Sequence, residues 1–451
     1  MKLPSTSRLL LAAALCFSVL QLVRPSIPSK PSSSDLQAPP EVKRVLVKGC
    51  YACHSDEGRL CWFDQIVPAY WLVRHDILEA RAHLNFSTLG SKPPTAQKAR
   101  LFEAVNMIQL GAMPLPAYSR LHPEARLTTE DVVILKSYLN PWANDRELPI
   151  SHESAGVPPP RFENAVANEF SGLAFDHSSS GWKLISVTDR GDNNTLRLVL
   201  GNDTAIQAAQ SGRVSPWPDG TQFAKIAWKK TRGADGLIHP GDFVQTEFML
   251  KDSAHFKRTD GWNWGRWLGP ELKPYGSDRN FVGECTGCHQ PVKGNDYVYT
   301  LPITKATVSG SEMVNNQAAM FPAGSPFQPL MWQVITMYVD DSERTVSVLF
   351  GNEKAIAAIN ECAATGGLPL KYAPGSVLAL ITWRQREDPH WFGARIPGDL
   401  QTMETVELGP PTGQYRYRRY AGAKLLEQLS QSSTQNERTQ SILKLAPVLL
   451  P

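Results

Sequence analysis

Residues 182–206 read WKLISVTDRGDNNTLRLVLGNDTAI, and residues 332–356 read WQVITMYVDDSERTVSVLFGNEKAI. In the first stretch two alternating runs flank a Gly-Asp-Asn turn, the pattern of a β-hairpin. The second aligns with it at a constant offset of 150, Trp332 on Trp182 and Gly351 on Gly201. A β-rich unit therefore occurs twice. The copy continues at slightly larger offsets, with Gly375, Trp383, Gly398-Asp399 and Glu404 echoing Gly220, Trp228, Gly241-Asp242 and Glu247. One position differs in kind, because Leu380 stands where the first unit has Lys225.

Working outward from the first unit, a short helix is expected at residues 204–210. Strands follow in PWPDGTQFAKIAWKK (216–230) and GDFVQTEFMLKD (241–252), before the Trp-rich GWNWGRWLG (261–269). The unit then ends in Cys285-Thr286-Gly287-Cys288-His289, and the second unit has no such pentapeptide. A further one, Cys50-Tyr51-Ala52-Cys53-His54, lies near the N-terminus. C-x-x-C-H is the spacing of c-type haem attachment: two thiols add to the haem vinyl groups, and the adjacent histidine turns under the macrocycle to ligate iron. A structural zinc site would need two cysteine pairs converging, and these two lie in regions of different texture. The sequence thus implies two covalently bound haem c groups, on Cys50, Cys53 and His54 and on Cys285, Cys288 and His289, and a second β-unit that has lost its haem. Cys61 and Cys362 read as free thiols with a mutual disulfide as the alternative, and Cys16 as a small apolar residue.

Around the first motif the texture is helical. Val42, Val45 and Leu46 fall at helical spacing, and residues 70–84 and 98–110 read as amphipathic helices. Gly111-Ala112-Met113-Pro114 precedes Thr128-Thr129-Glu130-Asp131, the start of a capped helix. A thioether on an extended loop fixed by proline suits a sixth iron ligand, so Met113 is the candidate, with His75 and His83 as alternatives.

At the N-terminus, Lys2 and Arg8 precede an apolar run of 15 residues from Leu9 to Val23, the layout of an export signal. The run is short for a membrane span of about 20 residues. No Ala-x-Ala site follows it, so a cleaved signal and an uncleaved anchor both stand. The Pro/Ser-rich residues 25–40 are expected to be an extended tether without a core. With 20% charged residues and a formal net charge of +3, nothing points to nucleic acid or to an acidic partner.

CYACHSDEGRLCWFDQIVPAYWLVRHDILEARAHLNFS (50–87) together with GAMPLPAYSRLHPEARLTTED (111–131) resembles the haem-binding domain of membrane-anchored bacterial cytochromes. That family typically has Pro or Tyr where Leu60-Cys61 stand here, a departure that touches packing and not the ligands. Residues 165–303 resemble the cytochrome P-460 family, through WKLISVTDR, LGNDTAI, PWPDGTQFAKIAWKK, EFMLKDS, KPYG and CTGCHQPVKGNDYVYTLPI. The resemblance implies a five-coordinate haem with an open distal face. In the hydroxylamine-oxidising members a lysine is crosslinked to the haem edge and a distal carboxylate handles protons; Lys225 and Glu247 occupy those positions. Met313 and Met320 lack the Gly-x-Met-Pro setting, so no sixth protein ligand is expected on this haem.

The expected fold class is multidomain α + β: an all-helical, cytochrome c-like N-terminal domain, then two antiparallel β-sheet-rich cytochrome P-460-like domains. The expected boundaries are 1–24 for the signal or anchor, 25–40 for the tether, 41–145 for the first haem domain and 146–310 for the second. The haemless repeat follows at 311–420 and a tail, opening with a helix in AKLLEQL, at 421–451. Two functions follow. In one, an open iron on His289 acts on hydroxylamine or nitric oxide, Glu247 moves protons, and electrons pass to the His54/Met113 haem. In the other, the chain is a non-catalytic dihaem electron-transfer or gas-binding cytochrome. Both place it in the periplasm, with a periplasmic redox partner and the N-terminal segment as a possible inner-membrane anchor.

Overall fold

The computed structural model describes residues 5–29, 34–58, 60–142, 148–149, 162, 166–276, 281–304, 315–325, 327–365, 370–410, 414–429, 431–448 and 450–451. Lys2, Met313 and the expected 310/311 boundary lie outside them. The chain divides into two compact units, Met1–Asn140 and Pro141–Pro451.

The first unit is helical: α1 Ser5–Leu20, α2 Pro40–Gly49, α3 Tyr51–His54, α4 Ala69–His83, α5 Phe86–Leu89, α6 Pro94–Gln109, α7 Pro116–Leu121 and α8 Thr129–Leu139. Val42, Val45 and Leu46 of α2 are all buried, as their spacing requires. Helix α8 starts with a full capping box between Thr128 and Asp131, which contributes about 1 kcal/mol. Asp131 also accepts from Lys48 of α2 at 2.7 Å, tying the two helices together. Along α1, Leu9, Leu10, Leu11 and Leu15 are exposed, and no described helix is long and apolar enough to cross a membrane. The described part of residues 25–40 differs from a free tether. Tyr70 and Arg74 bond to the carbonyls of Pro25 and Ser26, the Leu36 amide donates to Phe86 O, and Leu36 is buried. Its proline-held extended backbone leaves carbonyls that the side chains of α4 satisfy.

The second unit is one antiparallel sheet with its helices. The first copy comprises β1 Lys183–Arg190, β2 Thr195–Gly201, α9 Asp203–Ser211, β3 Gln222–Arg232, β4 Ile238–Lys251, β5 Trp262–Leu268, β6 Lys273–Pro274 and α10 Phe281–His289. The second comprises β7 Gln333–Asp340, β8 Thr345–Gly351, α11 Glu353–Thr365, β9 Val377–Glu387, β10 Ala394–Gly409, β11 Gln414–Ala421, β12 Leu426–Gln428 and α12 Ser432–Leu443. The duplication reaches individual bonds. Both hairpins shift register in their first strand, between Leu184 and Ser186 and between Val334 and Thr336. Asn202 accepts from the amides of Ala205 and Gln222 and donates to Gly220 O, while Asn352 accepts from Ala355 and Val377 and donates to Gly375 O. A Cβ on Gly201 or on Gly351 would fall 2.8 Å from Ile185 or Ile335, so each hairpin needs glycine where its helix begins.

Strand order runs β1-β2-β3-β4-β7-β8-β9-β10, and β10 pairs back to β1, closing a ring of eight strands. The seams are short and related by the repeat: Ile238 pairs with Val339, and their counterparts Arg395 and Asp189 pair with each other. This is an isologous contact made within one chain. Leu196, Leu198, Trp228, Val348, Trp383 and Met403 share a single buried cluster inside the ring, whereas the outer faces of the two copies bury separate clusters. The tail departs from expectation. AKLLEQL is not a helix but a turn into β12, which pairs with β11, and the helix forms in the Ser/Gln-rich stretch after it. The open edge of β11 offers ladder hydrogen bonds that override a helical apolar pattern.

Candidate haem centres

In the helical unit, α2 ends at Cys50 and one turn of helix carries Cys53 and His54, so that the His54 amide bonds to Cys50 O at 2.9 Å. His54 Nδ1 donates to Leu84 O at 2.9 Å. A carbonyl only accepts, so the proton is fixed on Nδ1 and the Nε2 lone pair is left for a metal. Burial holds the imidazole below its ordinary pKa and therefore neutral. Burial also pushes the Cys50 thiol up to about 12 and the Cys53 thiol, with Asp76 and Asp64 nearby, up to about 11. Protonated thiols with a neutral imidazole are the donor set that haem attachment uses. Tyr51, stacked on Phe86 at 4.9 Å, backs the motif. Met113 lies on the loop between α6 and α7, its side chain about one-third exposed, with its amide bonded to Met107 O at 3.1 Å. His75 and His83, on α4, are exposed.

Sequence reading missed a buried trio beside this motif. His122 faces Asp64 through Nε2 at 3.1 Å and Glu124 through Nδ1 at 3.2 Å, with Cys61 Sγ at 3.9 Å and the Tyr118 ring stacked at 4.0 Å. The donor atoms of Cys61, Asp64 and His122 lie within 4.8 Å of one another. Both ring nitrogens are engaged by carboxylates, so the trio reads as a hydrogen-bonded core. His122 lies 58 positions beyond Asp64, and no spacing rule joins it to Cys61 and Asp64. Neither Cys61 nor Cys362 is in a disulfide, so the mutual bond held as an alternative does not form.

In the β-unit, α10 carries the second motif against the outer face of the first copy. His289 Nδ1 donates to Tyr297 O at 2.6 Å, and its ring is flanked by Trp264 at 5.5 Å and Tyr299 at 5.2 Å. Burial, opposed by that carbonyl and aided by the nearby Lys225 and Arg266 cations, brings the imidazole down to about 4. Burial raises the Cys285 thiol to about 11. The donor set fits a haem as the first one does. A second observation agrees: Trp264 Nε1 is buried beside His289 with no acceptor among the described residues, a donor left over for a polar group of whatever fills the site.

Lys225, Glu247 and Arg266 stand side by side in register on β3, β4 and β5. Lys225 Nζ contacts Glu247 Oε2, and Arg266 donates to Oε1 at 2.6 Å. About a third of the Lys225 side chain stays accessible, yet desolvation and the Arg197, Arg266 and Arg190 cations hold its amine well below the ordinary lysine range. Lys225 and the motif influence one another electrostatically, so the amine lies near Cys285, Cys288 and His289. The structure thus brings together Lys225, Glu247, Cys285, Cys288 and His289. Burial brings Arg197 down to about 9, with Arg190 and Arg266 adding repulsion. Position 197 becomes Ser347 and position 190 becomes Asp340 in the haemless copy, a contrast the repeat alignment alone could have exposed.

That copy keeps the carboxylate and re-partners it. Glu404 pairs in register with Leu380, the counterpart of Lys225. It accepts from Arg438 of α12 through both oxygens at 2.9 Å and from the Tyr417 hydroxyl at 2.9 Å.

Residues 12–141 match the haem-binding domain family, and residues 179–300 match the cytochrome P460 family. No curated protein matches the chain. The chain thus carries, in order, a region that matches a haem-binding domain and a region that matches cytochrome P460.

Proposed function

We propose that the chain is an exported dihaem c-type cytochrome whose P460 domain acts on a small nitrogen species, hydroxylamine or nitric oxide, and passes electrons to the N-terminal haem. The observation that carries this reading is the Lys225–Glu247–Arg266 row facing Cys288 and His289, whose lysine and motif are both missing from the haemless copy. Cys50, Cys53 and His54 would hold one haem, with Met113 as sixth ligand, and Cys285, Cys288 and His289 the other. Bound there, haem iron supplies one-electron exchange and, over His289, an open coordination position. Glu247 accepts and returns a proton at Oε2, the oxygen turned to Lys225. Arg266 fixes the other oxygen, and the buried Trp264 packs against His289. Lys225 would be the residue to carry the crosslink to the haem edge that the resemblance implies. The exposed leucines of α1 support an export or anchoring segment, and with it a periplasmic location and a periplasmic redox partner.

The absorption spectrum of the reduced protein tests the crosslink. A red-shifted Soret band is expected, and Lys225→Ala should return it to the ordinary c-type position. An ordinary spectrum in the unaltered chain sinks the crosslinked reading. One feature favours the second reading, a non-catalytic electron-transfer or gas-binding cytochrome: Glu247 is tied to Arg266 and touches Lys225, a pairing that a purely structural row would also make. Hydroxylamine-dependent reduction of the N-terminal haem separates the two. Met113→Ala should turn that haem high-spin, and an unchanged spectrum removes Met113 as its ligand.

A further inference from the structure

The β9–β10 loop of the haemless copy, residues 388–393, does not stay within its own copy. His390, 3% exposed, donates from Nδ1 to Tyr299 O at 2.7 Å. The Trp391 ring meets the Tyr299 ring edge-on at 5.5 Å. Tyr299 in turn packs edge-on against His289 at 5.2 Å and donates from its hydroxyl to Cys288 O at 2.6 Å. Trp391 is itself anchored in the first copy, because its Nε1 donates to Asp192 at 3.2 Å and the Arg190 guanidinium lies 4.4 Å over its ring. Gly191 N to Gly393 O at 2.8 Å closes the contact.

The segment that this loop grips carries the carbonyl that orients His289. That carbonyl belongs to Tyr297, and both Asp296 and Tyr297 are left-handed, with φ of 48° and 64°. Neither residue adopts that conformation without cost, of the order of 1 kcal/mol each, so surrounding contacts must hold it. On the N-terminal side the first copy supplies them: Asp296 accepts from Lys251 at 2.8 Å and from the Trp217 amide at 2.8 Å. On the C-terminal side, His390 and Trp391 of the other copy hold Tyr299, two residues beyond Tyr297, beside the first copy's own bonds from Asn295 Nδ2 to Val298 O and from Ile303 N to Ile185 O.

We infer that the haemless copy is a positioning element for the second haem centre, with His390 and Trp391 fixing through Tyr299 the orientation of His289 and of the Cys288 backbone. The inference rests on the reading that Cys285, Cys288 and His289 hold a haem. It gives the duplicate a reason to persist after losing its own motif, since the ring brings its loop onto Tyr299, next to His289. The reach in the opposite direction, Arg232 to Asp341 at 2.8 Å and the His239 and Tyr338 rings 5.9 Å apart, meets a copy without C-x-x-C-H.

The test uses the full haem-loaded chain. Haem content is read first, and then the midpoint potential and the iron–histidine stretching frequency of the second haem. His390→Ala should shift that potential by the equivalent of a tenfold change in the oxidised-to-reduced ratio, about 59 mV for a one-electron couple. The stretch should move with it, while the N-terminal haem stays put. His390→Asn, whose amide can donate to the same carbonyl, should restore most of both values. If His390→Ala does not accumulate, Trp391→Phe carries the same two readouts with a smaller shift expected. A folded variant with both readouts at their unaltered values overturns the inference alone. An unaltered chain without haem on Cys285 and Cys288 overturns the inference and the haem assignment together.

Discussion

The two copies in the β-unit share a hairpin, a register shift, a capping asparagine and a glycine against an isoleucine, and differ almost wholly on their outer faces. In the first copy that face presents Lys225, Glu247 and Arg266 to a C-x-x-C-H helix. In the second, Leu380 replaces the lysine and the C-terminal helix brings Arg438 onto the retained carboxylate. The difference separates what folds the unit from what functions. The ring interior is common property of both copies, so neither can change it alone, whereas each outer face answers only to what covers it. A buried carboxylate is the exception, because stripped of its partner it costs several kcal/mol. Glu404 had either to go or to find a new cation, and α12 supplies one.

The strongest way to break this comparison is to remove the motif from the first copy. Cys285→Ala with Cys288→Ala should lower haem content by one per chain, read by haemochrome assay and intact mass, while the ring stays folded on its shared interior. Unchanged haem content would end the distinction between the copies. A smaller effect sharpens it. Glu404→Gln trades a buried carboxylate that accepts from both Arg438 and the Tyr417 hydroxyl for a neutral amide, and should cost about 2 kcal/mol in denaturant unfolding, with no change in either haem spectrum. Glu247→Gln should cost under about 1 kcal/mol, because Lys225 and Arg266 each remain a third exposed and solvent screens the pair. Equal costs would mean that the first copy's row is built for stability as the second's is.

Much of this was legible in the sequence because it depends on neighbours in the chain or on a pattern repeated along it. Both C-x-x-C-H units, the two hairpins and the 150-residue offset are local or periodic, whereas Lys225 and Glu247 are marked by the resemblance to the cytochrome P-460 family. What was hidden depends on long-range contact. The ring closes through one or two residue pairs at each seam, Asp189 with Arg395 and Ile238 with Val339, which no alternation pattern marks. AKLLEQL has a helical apolar spacing yet turns at Gly422 and Leu425, both at positive φ, to pair with β11. His122 with Asp64, and His390 with Tyr299, become neighbours only after folding.

The smallest effect probes what the copies still share. Asn202 and Asn352 each make three hydrogen bonds that tie a hairpin to its helix and to the next strand. Replacing an asparagine cap by alanine costs about 1 kcal/mol, and the bond to the glycine carbonyl adds a few tenths. If the copies differ only in what covers their outer faces, Asn202→Ala and Asn352→Ala should lower stability equally to within about 0.5 kcal/mol, measured as the change in denaturant midpoint at constant slope. A markedly larger loss at Asn202 would mean that the haem-bearing face strains its scaffold and leans on the cap. A larger loss at Asn352 would mean that the second copy, without a haem, has become the weaker half of the ring.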